Sequence, residues 1–230
     1  NFKLNLNFNH SKIVLSNYRI SSIPSDVISM IKSITYQSFI LIITISNLLF
    51  LGLNSCTAAL HLSMIALDIG PDDEVITTPL TFCATVNSII HAGATPVLAD
   101  VNPISMNIDS ASIEEKITEK TKCILPVHFA GRSCDMDAIT TIARENDLLL
   151  VEDCAHSIET TFHGRSAGTF GDIGVLSFNG NKIITTGGGG AILTDNHELA
   201  QRAKHLTTTA KLTHKWEYIH NEIGFNYRMP

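Results

Sequence analysis

The chain has 230 residues and a net charge of −6, from 16 basic and 22 acidic residues. That length allows one large α/β domain or two small ones, and the acidic balance gives no reason to expect nucleic acid or an anionic membrane as partner. The five cysteines, at 56, 83, 123, 134 and 154, form no Cys-x-x-Cys pair, so neither a zinc site nor a disulfide scaffold is expected, and a reducing cytoplasm is the simplest compartment. No basic segment with a small-residue cleavage site opens the chain, so no secretory signal is expected.

Residues 1–50 contain no Ala, Gly or Glu and are dominated by Ile, Ser, Asn, Leu, Phe and Lys. Helix periodicity is poor there and no capped element can be drawn. Residues 1–53 are therefore expected to form an atypical segment outside the packed domain, with the residue types that AT-rich non-coding sequence yields on translation. Within it Phe39–Leu53 is strongly apolar but falls short of the ~20 residues that span a bilayer, and Asn47 interrupts it. A buried β segment is the alternative to a membrane span.

From Asn54 the chain alternates. Helices are predicted at Thr57–Leu67, Phe82–His91, Ser112–Ile117, Asp135–Asn146 and from His197 to about Thr207. Strands are predicted at Glu74–Thr77, Pro96–Ala99, Cys123–Val127, Leu148–Glu152, Ile173–Ser177 and Ala191–Thr194. Strands separated by helices form βαβ units, so residues 54–230 are expected to be an α/β domain with a mostly parallel sheet covered on both faces. Ligands in such sheets bind beyond the carboxyl ends of the strands.

Two features at that edge carry chemistry. The apolar run Leu148–Val151 ends in Glu152-Asp153-Cys154-Ala155-His156. After Ser177, a lone Lys182 precedes four glycines, 187–190. A lysine in a glycine-rich turn can form a Schiff base with pyridoxal phosphate, while a carboxylate at a strand end keeps the pyridine nitrogen protonated. Taken singly, Lys182 could be a solvated loop residue, Asp153 a helix N-cap, and His156 a structural histidine. Asn54-Ser55-Cys56-Thr57 opens a helix whose free N–H groups and dipole can bind phosphate, or is an ordinary cap. Ser177 could add a hydroxyl. Phe82 could stack on a flat ring or be a core aromatic. The glycines match neither a Walker loop nor a dinucleotide fingerprint.

Asn54 to Pro230 resembles the large domain of the DegT/DnrJ/EryC1/StrS family of sugar aminotransferases. The matching stretches include Asn54–His61, Thr81–Asn87, Val151–Ser157, Gly171–Lys182, Gly187–Gly190 and Gly224–Pro230, in family order. The resemblance implies a fold-type I pyridoxal-phosphate enzyme. In it Lys182 is the Schiff-base lysine, Asp153 the pyridine-nitrogen partner and His156 the neighbour of the phenolic oxygen. Cys56, Thr57 and Ser177 match the phosphate cradle and Phe82 the stacking aromatic. Asn226 matches an asparagine that reaches the partner subunit's cofactor phosphate, so a homodimer with shared sites is implied. The implied substrates are a nucleotide-linked 4-keto-6-deoxy sugar and glutamate as amino donor, with no metal. The pattern around Lys182 is similar to members on routes to bacillosamine and legionaminic acid. Family dehydratases carry histidine in place of the lysine, so Lys182 argues against that activity. Family members have a first helix and strand not recognisable in 1–53, and continue past 230 into a small C-terminal domain; on both counts an inactive remnant is the other expectation.

Overall fold

The computed structural model describes residues 48–214 and 216–229, and, within a separate unit formed by the first forty residues, one antiparallel pair of two-residue strands, Phe8–Asn9 with Lys12–Ile13. The remainder of the segment expected to be atypical, including Phe39–Asn47, lies outside the described residues. Among the described residues no helix is long and apolar enough to cross a membrane.

Seven strands form one sheet: β1 (Leu49–Leu53), β2 (Glu74–Thr77), β3 (Thr95–Leu98), β4 (Thr121–Leu125), β5 (Leu149–Asp153), β6 (Ile173–Ser177) and β7 (Gly190–Thr194). Their order is β1-β7-β6-β5-β4-β2-β3, and only β7 runs antiparallel to its neighbours. This is the mostly parallel sheet that the alternation predicts. One expectation is corrected: a first strand does exist before Asn54. Leu49–Leu53, the tail of the apolar run, pairs along its whole length with β7. Strand boundaries elsewhere move by one or two residues, as in β4, predicted at Cys123–Val127. Asp153 thereby becomes the last residue of β5.

Alternation along the strands shows why helices cover both faces. Val75, Cys123, Leu125, Val151, Ile173, Val175 and Ile192 face one buried cluster, which takes in helices α1 (Cys56–Ala66), α2 (Ala84–His91) and α5 (His197–Thr207). Their neighbours Ile76, Ile124 and Leu150 face a second cluster under α3 (Ser110–Lys116) and α4 (Met136–Glu145). The sequences fit these places. In α4 the buried residues Met136, Ile139, Ile142 and Ala143 form one stripe, and the Asp135 carboxylate caps the helix by accepting the Ala138 N–H at 3.2 Å. Helix α1 is apolar nearly all round, as befits a helix packed between the sheet, α2 and α5.

Direction fixes what meets at the sheet's carboxyl edge. β5 ends there in Asp153 and β6 in Ser177, β2 leaves towards Thr81 and Phe82, and the antiparallel β7 enters at Gly190. Because β1 runs with the parallel strands, α1 begins at this edge as well.

Candidate active site

Lys182 lies half-buried in the loop joining β6 to β7. That loop is closed by Phe178 N–H donating to Gly189 O (2.9 Å) and Thr186 N–H donating to Phe178 O (3.0 Å), and the Lys182 N–H donates to Asn179 O (3.0 Å). Gly187 and Gly189 have φ of +81° and +144°, which a side chain would strain. The lysine is thus presented from a defined turn, and its charge reaches both Cys56 and His156.

Asp153 is 3 % exposed. Its Oδ2 accepts from Thr85 Oγ1 at 2.8 Å and its Oδ1 from the Ala155 N–H at 3.0 Å. No helix follows it, so it is not a helix N-cap. His156, on the turn beyond, is exposed and stands edge-on to Phe129, ring centroids 6.4 Å apart. Partial desolvation and the Lys182 charge lower its pKa below the ordinary histidine value, against the opposing pull of Asp153. The turn therefore favours a neutral imidazole.

The anion cradle is built from close approach. Ser55 caps α1, its Oγ accepting the Ala58 N–H at 3.1 Å, which leaves the N–H groups of Cys56 and Thr57 as the open end of the helix. Gly190, opposite Ser177 in the β6–β7 register, packs against that end: a β-carbon there would come within 2.4 Å of Cys56 N. Burial first, then the Asp153 charge, push the Cys56 thiol well above its ordinary pKa, with Lys182 opposing. It stays a neutral thiol and brings no negative charge to the cradle. Phe82 is 70 % exposed beside this edge, which excludes the core-aromatic reading. Asn226 is exposed on the segment that returns past α1, where its carbonyl accepts from Asn54 Nδ2 at 3.4 Å and Tyr227 O accepts the Asn54 N–H at 2.8 Å.

Two groups were not anticipated. One is Thr85. The other is Glu152, fully buried on the opposite face of β5 from Asp153. Its carboxylate accepts the N–H groups of Gly168 (2.8 Å), Phe170 (2.6 Å) and Gly171 (2.9 Å), and a proton from His128 Nε2 (3.0 Å). His128 Nδ1 accepts the Cys134 N–H at 3.1 Å, so the imidazole is neutral with its proton on Nε2. The ligand atoms of His128, Glu152 and Cys154 lie within 4.8 Å of one another, yet the imidazole and the carboxylate are already committed and burial holds the Cys154 thiol protonated. This cluster ties two loops to β5 and does not offer ligands to a metal. A buried Glu inside an apolar strand was its visible signal.

The donor set fits pyridoxal phosphate. A helix end with two free N–H groups suits a phosphate, a buried carboxylate suits a pyridinium, and a half-buried lysine on a glycine loop suits an aldehyde carbon. The chain is 46% identical over 176 residues to GDP-perosamine synthase of Caulobacter vibrioides and 47% identical over 178 residues to spore coat polysaccharide biosynthesis protein SpsC of Bacillus subtilis. These matches cover 76% and 77% of this chain but 47% and 46% of the relatives, so the chain spans about half their length. Among solved structures it resembles the aminotransferase from Psychrobacter cryohalolentis (TM-score 0.74, 40% identity, 78% of this chain, 48% of that one). It also resembles DesV of S. venezuelae in complex with a ketimine intermediate (TM-score 0.73, 35% identity, 78% and 48%) and NtdA of Bacillus subtilis with bound cofactor PMP (TM-score 0.72, 37% identity, 78% and 41%). The model of the DegT/DnrJ/EryC1/StrS aminotransferase family matches residues 46–230, and the chain belongs to that family, whose aminotransferases use pyridoxal phosphate.

Proposed function

We propose that the chain is the cofactor-binding part of an aminotransferase that moves an amino group from glutamate to a nucleotide-linked 4-keto-6-deoxy sugar, in the cytoplasm, as a homodimer, for a surface polysaccharide. The observation that carries this is the meeting of Lys182, Asp153 and the open end of α1 at one sheet edge. The names of the perosamine and spore-coat relatives support the sugar class.

Bound pyridoxal phosphate supplies an electron sink for the pair left when a substrate C–H bond breaks. The rest falls to the chain. Cys56 and Thr57 N–H groups and the Ser177 hydroxyl bind the phosphate. Asp153 holds a proton on the ring nitrogen, and its low exposure protects that pairing from water. Phe82, exposed at this edge, would stack on the ring. Lys182, once its nitrogen is free, takes the proton from the donor's α-carbon, and the same amine returns one to the sugar carbon on the way back. Lysine at 182 favours transfer over the dehydration carried out by family members with histidine there.

Reducing the pyridoxal-phosphate-loaded chain with borohydride should fix the label on Lys182. A label on another lysine, or none at saturating cofactor, would sink the reading.

A further inference from the structure

Thr81, Thr85 and Asp153 form a short chain of hydroxyls ending on a buried carboxylate. Thr85 Oγ1 lies 2.8 Å from Asp153 Oδ2, and Thr81 Oγ1 lies 2.7 Å from Thr85 Oγ1. Their polarity follows from chemistry. An ionised carboxylate only accepts, so Thr85 must give its single proton to Asp153. Its oxygen is then left to accept, and Thr81 must be the donor to it. Thr85 and Asp153 are 1 % and 3 % exposed, whereas Thr81 is half-buried beside the exposed Phe82. A buried, charge-assisted hydrogen bond is strong, and a hydroxyl already accepting a bond is a better donor.

We propose that Thr85 is a positioning residue that aims Asp153 at the ring nitrogen of the cofactor, with Thr81 fixing the direction of its hydroxyl. The proposal rests on the pyridoxal-phosphate reading above. The two hydroxyls also tie the loop that carries Phe82 to the strand end that carries the carboxylate. Ring face and ring nitrogen are then held by one connected set of groups. With Ala155 N–H on Oδ1 and Thr85 on Oδ2, the carboxylate has no free rotation about its last bond.

The test compares two cofactors on the intact chain: pyridoxal phosphate, and the analogue with carbon in place of the ring nitrogen. Thr85→Val keeps the shape and removes the hydroxyl. It should weaken pyridoxal phosphate about tenfold, the scale of one charge-assisted bond, and leave the analogue within about twofold. Thr85→Ser should restore the parental ratio of the two affinities. Thr81→Val should shift the ratio in the same direction by less, and it keeps the test alive if Thr85→Val does not fold. Equal weakening of both cofactors would make Thr85 a merely structural residue and overturn the proposal, as would an unchanged ratio in Thr85→Val, or in Thr81→Val where Thr85→Val does not fold. A parent chain that fails to bind pyridoxal phosphate overturns the underlying reading itself. A parent that binds with an unmoved ratio overturns only the role given to Thr85.

Discussion

A β-carbon on Gly190 would stand 2.4 Å from the backbone nitrogen of Cys56, closer than such atoms ever approach. The first residue of β7 and the first residue of α1 are thus in contact only because position 190 has no side chain. Gly190→Ala should lower stability by about 1–3 kcal/mol through overpacking, and weaken pyridoxal phosphate by roughly tenfold or more as the helix end is pushed aside. Gly188→Ala is the control, since a β-carbon there meets nothing within 4 Å. Denaturant melts and cofactor titrations of both variants settle it; equal behaviour of the two would refute the contact argument.

Glu152→Gln should be the most destabilising single change near the site. The amide keeps one acceptor oxygen and turns an N–H₂ group towards donors that now face the carboxylate, His128 and Gly168 on one oxygen or Phe170 and Gly171 on the other. A loss of about 3 kcal/mol is expected in urea unfolding, from buried donors left unpaired. Zinc ions added to the parent should not raise its melting temperature, because His128 and Glu152 have no capacity to spare. A zinc-dependent rise of several degrees would mean that the cluster does bind metal.

Acid should destabilise the fold through His61. Its Nδ1 lies 3.0 Å from the Tyr227 hydroxyl and its ring 6.0 Å from that of His91. Burial, and secondarily the His91 charge, lower its pKa below the ordinary value. The unfolded chain therefore binds more protons than the folded one near and below pH 6.5, so this contribution is present above that pH and is lost as pH falls. His156 shifts in the same direction and adds to the slope. The denaturation midpoint should drop between pH 7.5 and 5.5, and drop less in His61→Asn. An identical drop in both would remove His61 from the account.

Asn226 is exposed next to the start of α1, and in the proposed homodimer it is expected to serve the second copy's site. A mixed dimer of Lys182→Ala and Asn226→Ala chains tests this by borohydride capture of cofactor. If Asn226 works in trans, one site keeps both groups and binds with parental affinity. If it works in cis, every site lacks one group and no parental-affinity site forms.

The residues that carry charge at strand ends were readable because they break local pattern. Asp153 closes an apolar strand and Lys182 stands alone before four glycines; each is informative without knowledge of what it touches. Phe82 was ambiguous until its exposure was known. Thr85 was not readable as functional, because the carboxylate it meets lies 68 residues away; Glu152 was visible as an acid at an apolar strand, but its partners, 16 to 24 residues away, were not. β1 was missed for a different reason. Leu49–Leu53 continues an apolar run that Ser46 and Asn47 interrupt, and its strand character comes from pairing with β7, far along the chain. The one- and two-residue shifts at strand ends reflect pairing that sequence pattern does not specify.

The pairing of β1 with β7 also sets a schedule for synthesis. Leu49–Leu53 and the apolar α1 emerge from the ribosome early, but Gly190–Thr194 is made roughly 140 residues later. At ~5–20 residues per second that is a wait of roughly 7–30 s with an unpaired apolar strand and a helix greasy on all sides. Over that interval the nascent chain holds this strand and helix unpaired, and chaperone cover should govern how much of it reaches the folded state.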